Sequence, residues 1–189
     1  MKRVLLTIII AAAAVSAYAQ PRAMGIRFGA GGLEADYQHD MRKNQFIEGN
    51  LGMDFGAVAK GAPGLKATAT YNFIWARPAW TNEGTWALYA GPGVSMGYVN
   101  DSDHIKVGRE ILPYNHGGFM LGVCGQVGVE YTFWFPLQLS VDLRPTVAMH
   151  VGGKGATISA DKVQEHMKIG IYDGGFLGFV PSLSVRYRF

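Results

Sequence analysis

The sequence predicts an all-β fold, an up-and-down antiparallel barrel of eight strands, on three observations. Apolar and polar residues alternate in one run after another beyond the first twenty residues. No segment there sustains the 3.6-residue period of a helix. The runs are separated by turn-forming clusters such as Gly31-Gly32, "DMRKN" and "AKGAPG".

Each strand follows from its pattern. Met24 to Ala30 sets Ile26, Phe28 and Ala30 opposite Arg27. Across Gly31-Gly32 the parity changes, so that Leu33, Ala35 and Tyr37 oppose Glu34, Asp36 and Gln38. A tight hairpin is the preferred explanation and one long strand with a bulge is the alternative; over residues 24–39 the pattern fits both. The third strand, Gln45 to Ala57, places Ile47, Leu51, Met53 and Phe55 against Glu48, Asn50 and Asp54. The fourth, Leu65 to Trp75, alternates without a break. The fifth, Thr85 to Val99, contains Pro92, which lacks the N–H that a central strand donates. The sixth, Phe119 to Phe133, and the seventh, Leu137 to Met149, keep Val, Leu and aromatic residues on one face. The eighth begins near Phe176 and ends in "SLSVRYRF".

Alternation alone does not say which face meets which medium. In a soluble barrel the polar face meets water and carries many long charged side chains. Here it carries Gly52, Gly91, Gly93, Gly97, Gly122, Gly128 and Ala87 between sparse charges, and only 16% of the chain is charged, against about 25% in ordinary soluble proteins. Small residues suit the lumen of an eight-stranded barrel, which is only just wide enough for side chains to fill it. The polar face therefore points inward, the apolar face meets lipid, and the predicted barrel is transmembrane. Strands of roughly 9 to 11 residues suffice to cross a bilayer at a steep tilt.

The start of the chain, "MKRVLLTIIIAAAAVSAYAQ", has two basic residues, a short apolar run and the small-x-small pattern Ala17-Tyr18-Ala19. It reads as a secretory signal peptide, residues 1–19, cut after Ala19 and followed by a barrel domain over 20–189. Removing Lys2 and Arg3 takes the formal charge of +3 nearly to neutrality, which gives no footprint for nucleic acid. A single cysteine, Cys124, excludes an intrachain disulfide framework.

Trp75, Trp80 and Trp86 surround one turn, and Phe133, Trp134 and Phe135 another. Alternate turns of an up-and-down barrel share an end, so these rings, with Tyr187, form an aromatic girdle at the periplasmic rim. The same reasoning sends two long connections, 100–117 and 151–175, outside the cell. They carry Asp101, Asp103, His104, Lys106, Arg109, Glu110, Lys154, Asp161, Lys162, Glu165 and Lys168. Ser159 is expected to cap a short helical turn from Asp161 to Lys168.

The eight runs and the terminal "SLSVRYRF", with stretches such as "ALYAGPGVSMGY" and "GVCGQVGVEYTF", resemble the small OmpX/OmpA-type outer-membrane β-barrels. The resemblance covers the whole chain after the signal. It implies the outer membrane of a Gram-negative bacterium, lipid as the surrounding partner, and a final strand read by the barrel-assembly machinery through Leu183, Val185, Tyr187 and Phe189.

By parity the lumen receives Glu34, Asp36, Glu48, Asp54, Glu130 and Asp142, countered by Arg27, Lys66, Arg144, Arg186 and Arg188. Isolated ions in that space are costly, so a network of paired groups plugging the barrel is expected. No cofactor or metal is expected. His39, His104, His116, His150 and His166 show no ligand spacing and are placed in or beside loops as solvated side chains. "SADK" lacks the companion motifs of an acylating enzyme, and "GPGVSMG" has no helix after it to cradle phosphate. Cys124 is placed in the lumen as a small interior residue. The expected role is non-enzymatic: a structural, surface-contact or adhesion protein with an unknown extracellular partner at the loops. The alternatives are an outer-membrane lipid-modifying enzyme, of the lipid A deacylase or acyltransferase type, and a narrow channel.

Overall fold

A computed structural model describes residues 21–55, 63–107, 110–159 and 162–189, and the side chains among them except those of 21, 42, 101–116 and 153–168. The predicted signal peptide lies outside the described residues. β1 (Pro21–Gly29) and β2 (Gly32–Arg42) form an antiparallel hairpin, which settles the parity change in favour of the turn. Gly32 is required there: its φ is +153°, and a Cβ on it would lie 2.0 Å from the Met53 carbonyl oxygen. The chain continues through β3 (Gln45–Asp54), β4 (Gly64–Ala76), β5 (Thr85–Val107) and β6 (Glu110–Thr132). It returns through β7 (Leu137–Leu143), β8 (Thr146–Ser159) and β9 (Lys162–Ile171), a 3-10 helix (Asp173–Phe179) and β10 (Ser182–Arg188).

Neighbours pair antiparallel in the ring β1-β2-β3-β4-β5-β6-β7-β10, and β10 pairs back to β1, so the sheet closes as an eight-stranded barrel. Closure removes the unpaired edges that an open sheet would present. β8 continues β7 along the same neighbour, β6, after a break at Arg144-Pro145. Pro145 cannot donate a rung, but its carbonyl accepts from the Gly125 N–H at 3.1 Å. The predicted seventh strand is therefore interrupted, with its parity intact: Asp142, Arg144, Thr146 and Ala148 are all buried.

Several expectations are corrected. The 100–117 connection is not a loop, because β5 and β6 pair without a register shift from Thr85↔Thr132 to Val107↔Glu110. Within 151–175, β8 and β9 form a second hairpin, so the helical turn expected over 161–168 is strand from Lys162 onward, and Ser159 ends β8 instead of capping a helix. Backbone rungs hold both hairpins whether or not their side chains alternate. Phe176 lies in the 3-10 helix, and the last strand begins at Ser182. That helix interrupts the strand between β9 and β10 and packs against the β7–β8 break, where the Arg144 N–H donates to the Gly178 carbonyl at 2.8 Å. A Cβ on Gly178 would lie 1.9 Å from the Arg144 carbonyl oxygen, so only glycine permits the approach. Gln45 to Asp54 is the extent of β3; residues 56 and 57 of the predicted third strand lie outside the described residues. Pro92 does not interrupt β5, which keeps its register with β6 through Pro92↔Gly125. The rungs facing it on β4 lapse between Thr70↔Gly93 and Phe73↔Ala90.

The two faces differ in kind. Outward residues are large and apolar, including Ile26, Leu51, Leu65, Val94, Val123 and Val147, all exposed. Inward residues are mostly polar, with two apolar clusters. Phe46, Ile74, Ala87 and Tyr89 close the end near the chain terminus, and Val99, Met120, Ala148 and Tyr172 close the end beneath the hairpins. Most of the ionic groups lie between them.

Candidate functional site

Strand parity places the interior charges, and the register fixes who meets whom. Nearest the hairpin end, Arg27 on β1 donates from Nη2 to Asp142 Oδ1 at 2.6 Å and from Nη1 to Glu34 Oε2 at 3.3 Å. Lys66 Nζ lies 2.7 Å from Asp54 Oδ2 and 3.6 Å from Glu34 Oε1. Arg144, just past β7, bonds Glu34 and Asn50. Tyr172 reaches from the start of the 3-10 segment to donate its hydroxyl to Asp54 Oδ1 at 2.5 Å. Three acids and three bases are grouped here.

At mid-height Arg186 on β10 is fully buried. It donates from Nε to Asp36 Oδ2 at 2.6 Å, from Nη1 to Ser140 Oγ at 2.7 Å and from Nη2 to Glu48 Oε2 at 3.2 Å. The reach from β10 to β2 crosses β1 at Gly25, the residue opposite both Arg186 and Asp36. A Cβ on Gly25 would lie 1.9 Å from the Val185 carbonyl oxygen and 2.6 Å from the Arg186 Cα, so only glycine leaves room for the crossing. Glu48 also accepts from Gln38 and Gln126, each at 3.0 Å. Gln126 in turn accepts from Thr70 at 2.6 Å. Charge-assisted bonds of this kind are short and strong, and in so dry an interior their absence would be costly.

At the terminal end Arg22 pairs with Glu130 and stacks 4.6 Å above the Phe46 ring. Gln138 donates to Glu130 Oε2 at 2.6 Å. Arg22, not Arg188, is the fifth interior base. The register shifts between Pro21 and Ala23, and Arg22 is buried at that bulge, whereas Arg188 sits at the rim and is exposed. The bulge is invisible to parity, which faces Arg22 outward, while Arg188 shares the inward parity of Ser184 and Arg186 but stands past the covered part of the wall.

The other expected residues fall as follows. Glu34, Asp36, Glu48, Asp54, Glu130, Asp142, Arg27, Arg144 and Arg186 are buried, and Lys66 is nearly so. Cys124 is a buried free thiol. His150 is not a solvated loop residue: it is buried on β8, with Nε2 3.2 Å from the Val99 carbonyl oxygen and its ring beside Tyr172. His39 is half-buried on β2 beside Tyr37, while the side chains of His104, His116 and His166 lie outside the described residues. The aromatic residues gather at the terminal end. Trp80, Trp86, Tyr131, Phe133 and Phe135 touch in sequence, with centroids 4.6–5.2 Å apart. Trp134 packs on Phe135, Tyr187 on Phe189, and Trp75 is exposed at the same rim. The inward apolar clusters were not anticipated, although the parity of Phe46 and Ile74 places both inside.

Among the described residues no group of three His, Cys, Asp or Glu side chains is arranged to hold a metal. Comparison with known proteins returned no family model, no curated protein and no solved structure that matches the chain. What the interior does chemically is join seven of the eight barrel strands through ions and amides, β4 by Lys66 and Thr70 and β6 by Gln126 and Glu130.

Proposed function

We propose that the protein is a small outer-membrane barrel of the OmpX/OmpA type, exported by residues 1–19, with a plugged lumen and no catalytic role. Its task is surface contact, adhesion or envelope integrity, exercised at the hairpins over 100–117 and 151–171. The observation that carries the reading is the division of faces: an outward band of apolar residues, most of them large, around a core of buried ion pairs. In water such a band is a liability well beyond the few hundred Å² an ordinary monomer exposes; in lipid it is the stable arrangement. The aromatic rim supports a periplasmic terminal end, where amphipathic rings sit at headgroup level. The hairpins then rise on the opposite side, where exposed connecting segments most often carry function.

Two experiments test this. Membrane-extracted protein is expected to migrate faster on a gel unheated than boiled, as a closed barrel does; identical migration would refute the membrane barrel. Replacing both hairpins by short turns is expected to abolish surface binding and leave that gel shift intact. Unchanged adhesion and envelope integrity would refute the surface role. Planar-bilayer recordings are expected to be silent, and steady conductance steps would refute the plug.

A further inference from the structure

The interior ions do not balance, and the imbalance has an address. The cluster at the hairpin end sets Glu34, Asp54 and Asp142 against Arg27, Lys66 and Arg144. The terminal cluster sets Glu130 against Arg22, whose second acidic neighbour, Asp40 at 3.5 Å, is half exposed to solvent. Between them Asp36 and Glu48 share the single guanidinium of Arg186, both carboxylates on the same nitrogen, Nη2, at 2.5 and 3.2 Å. Arg144, already bonded to Glu34, comes no nearer to Glu48 than 4.0 Å. Asp36 and Glu48 are 2% and 0% exposed, so bulk solvent does not screen them. Asp36 Oδ1 is buried with no hydrogen-bond partner among the described residues, as are Gln138 Oε1 on β7 and Ser184 Oγ on β10. A bare carboxylate oxygen in that position is expensive, and a hydroxyl is not, once it finds an acceptor.

We propose that Asp36 and Glu48 form a proton-binding site in the barrel interior, holding one proton between them at neutral pH. With it the central cluster carries one negative and one positive charge, as the flanking clusters balance. The buried groups of the interior around the pair include Arg27 and Arg22 from β1, Glu34 and Gln38 from β2, Asn50 from β3, Thr70 and Asn72 from β4, and Tyr89 from β5. Gln126 and Glu130 join them from β6, Gln138, Ser140 and Asp142 from β7, Arg144 from the break after it, and Ser184 and Arg186 from β10. The inference rests on the barrel interior and holds whichever medium surrounds the outward face, so its failure would leave the membrane reading untouched.

Infrared spectroscopy of the full chain, folded in detergent at neutral pH, tests it directly. The wild type is expected to show the carbonyl band of one protonated carboxylic acid per molecule, slow to shift in D2O. Asp36→Asn and Glu48→Gln are each expected to lose that band, and Glu83→Gln, at an exposed position, to keep it. No band in the wild type would overturn the proposal without recourse to variants. A band surviving both substitutions would overturn it too, since the proton would then sit elsewhere. Unfolding offers a second readout. One proton held by the folded state and released on unfolding lowers the folding equilibrium constant about tenfold per pH unit as pH rises above the ordinary carboxylate range. That fall is expected for the wild type measured against Asp36→Asn, and parallel curves would count against the site.

Discussion

Val123 provides the sharpest test of which medium surrounds the barrel. It lies at mid-wall on β6, between Val94 on β5 and Val147 on β8, and all three are more than half exposed. Val123→Arg adds a charge on the outward face without entering the interior network. If that face meets acyl chains, an arginine near the bilayer midplane costs about 2–4 kcal/mol, a loss of roughly 30-fold to 1,000-fold in the folding constant. If it meets water, the same change falls within about 0.5 kcal/mol, as surface substitutions do. The assay is urea unfolding of the full chain in phospholipid vesicles, followed by tryptophan fluorescence, with Tyr187→Arg at the rim as the shallow control, expected to cost about 0–1 kcal/mol. Equal midpoints for wild type and Val123→Arg would refute the reasoning, because the outward face would then not be buried in hydrocarbon.

Three further outcomes follow from local geometry. Gly32→Val forces a side chain into a backbone with φ +153° and onto the Met53 carbonyl 2.0 Å away; it is expected to cost at least about 1–3 kcal/mol in the same unfolding assay, whereas Gly49→Val, with nothing within 4 Å of its Cβ, is not. Tyr172→Phe removes the 2.5 Å bond to Asp54 and is expected to cost about 1.5–3 kcal/mol, as loss of a bond to a charged group does, with faster proteolytic cutting near the 3-10 helix. Phe189→Ala is expected to lower the amount of barrel delivered to the membrane in cells while leaving the refolded protein's urea midpoint unchanged, since its ring is 61% exposed.

Much of this was legible because a strand's two faces are fixed by counting in twos. Gly52, Glu34 and Asp142 could be placed inside, and Leu51, Leu33 and Val141 outside, without knowing a single partner. Partners are a different matter, because parity gives a face and no register. That Arg186 spans β1 to bind Asp36 and Glu48 depends on Gly25 standing between them, which a one-dimensional pattern does not contain. Arg22 escaped notice because a bulge adds a residue and shifts the count. The hairpins escaped because "NDSDHIKV" and "KVQEHMKIGI" are polar enough to read as loop or helix, while backbone pairing makes strands of them. The 3-10 helix replaces strand where Gly175 and Gly178 let the chain lie against the β7–β8 break, a contact made by residues some thirty positions away.

The buried ions raise a last question of why they are kept, since well-packed apolar groups of similar volume are often as stable as a buried ion pair or more so. Register supplies an answer. Sliding a strand by one residue turns every inward side chain outward, and for β10 that would carry Arg186 and Ser184 into the outward band and draw Val185 and Tyr187 into the lumen. An apolar interior would penalise such a slip only weakly, because apolar residues tolerate either face. A charged interior penalises it by the full cost of an unpaired ion. We predict that replacing Arg186, Asp36 and Glu48 together by Leu, Leu and Met yields a barrel within about 1–4 kcal/mol of the wild type or more stable than it, but folded in more than one pairing of β10. Crosslinking of cysteines at Met24 and Tyr187, opposite one another in the native register, would then fall relative to crosslinking one residue off. Undiminished native crosslinking in the triple variant would show that the ions do not set the register.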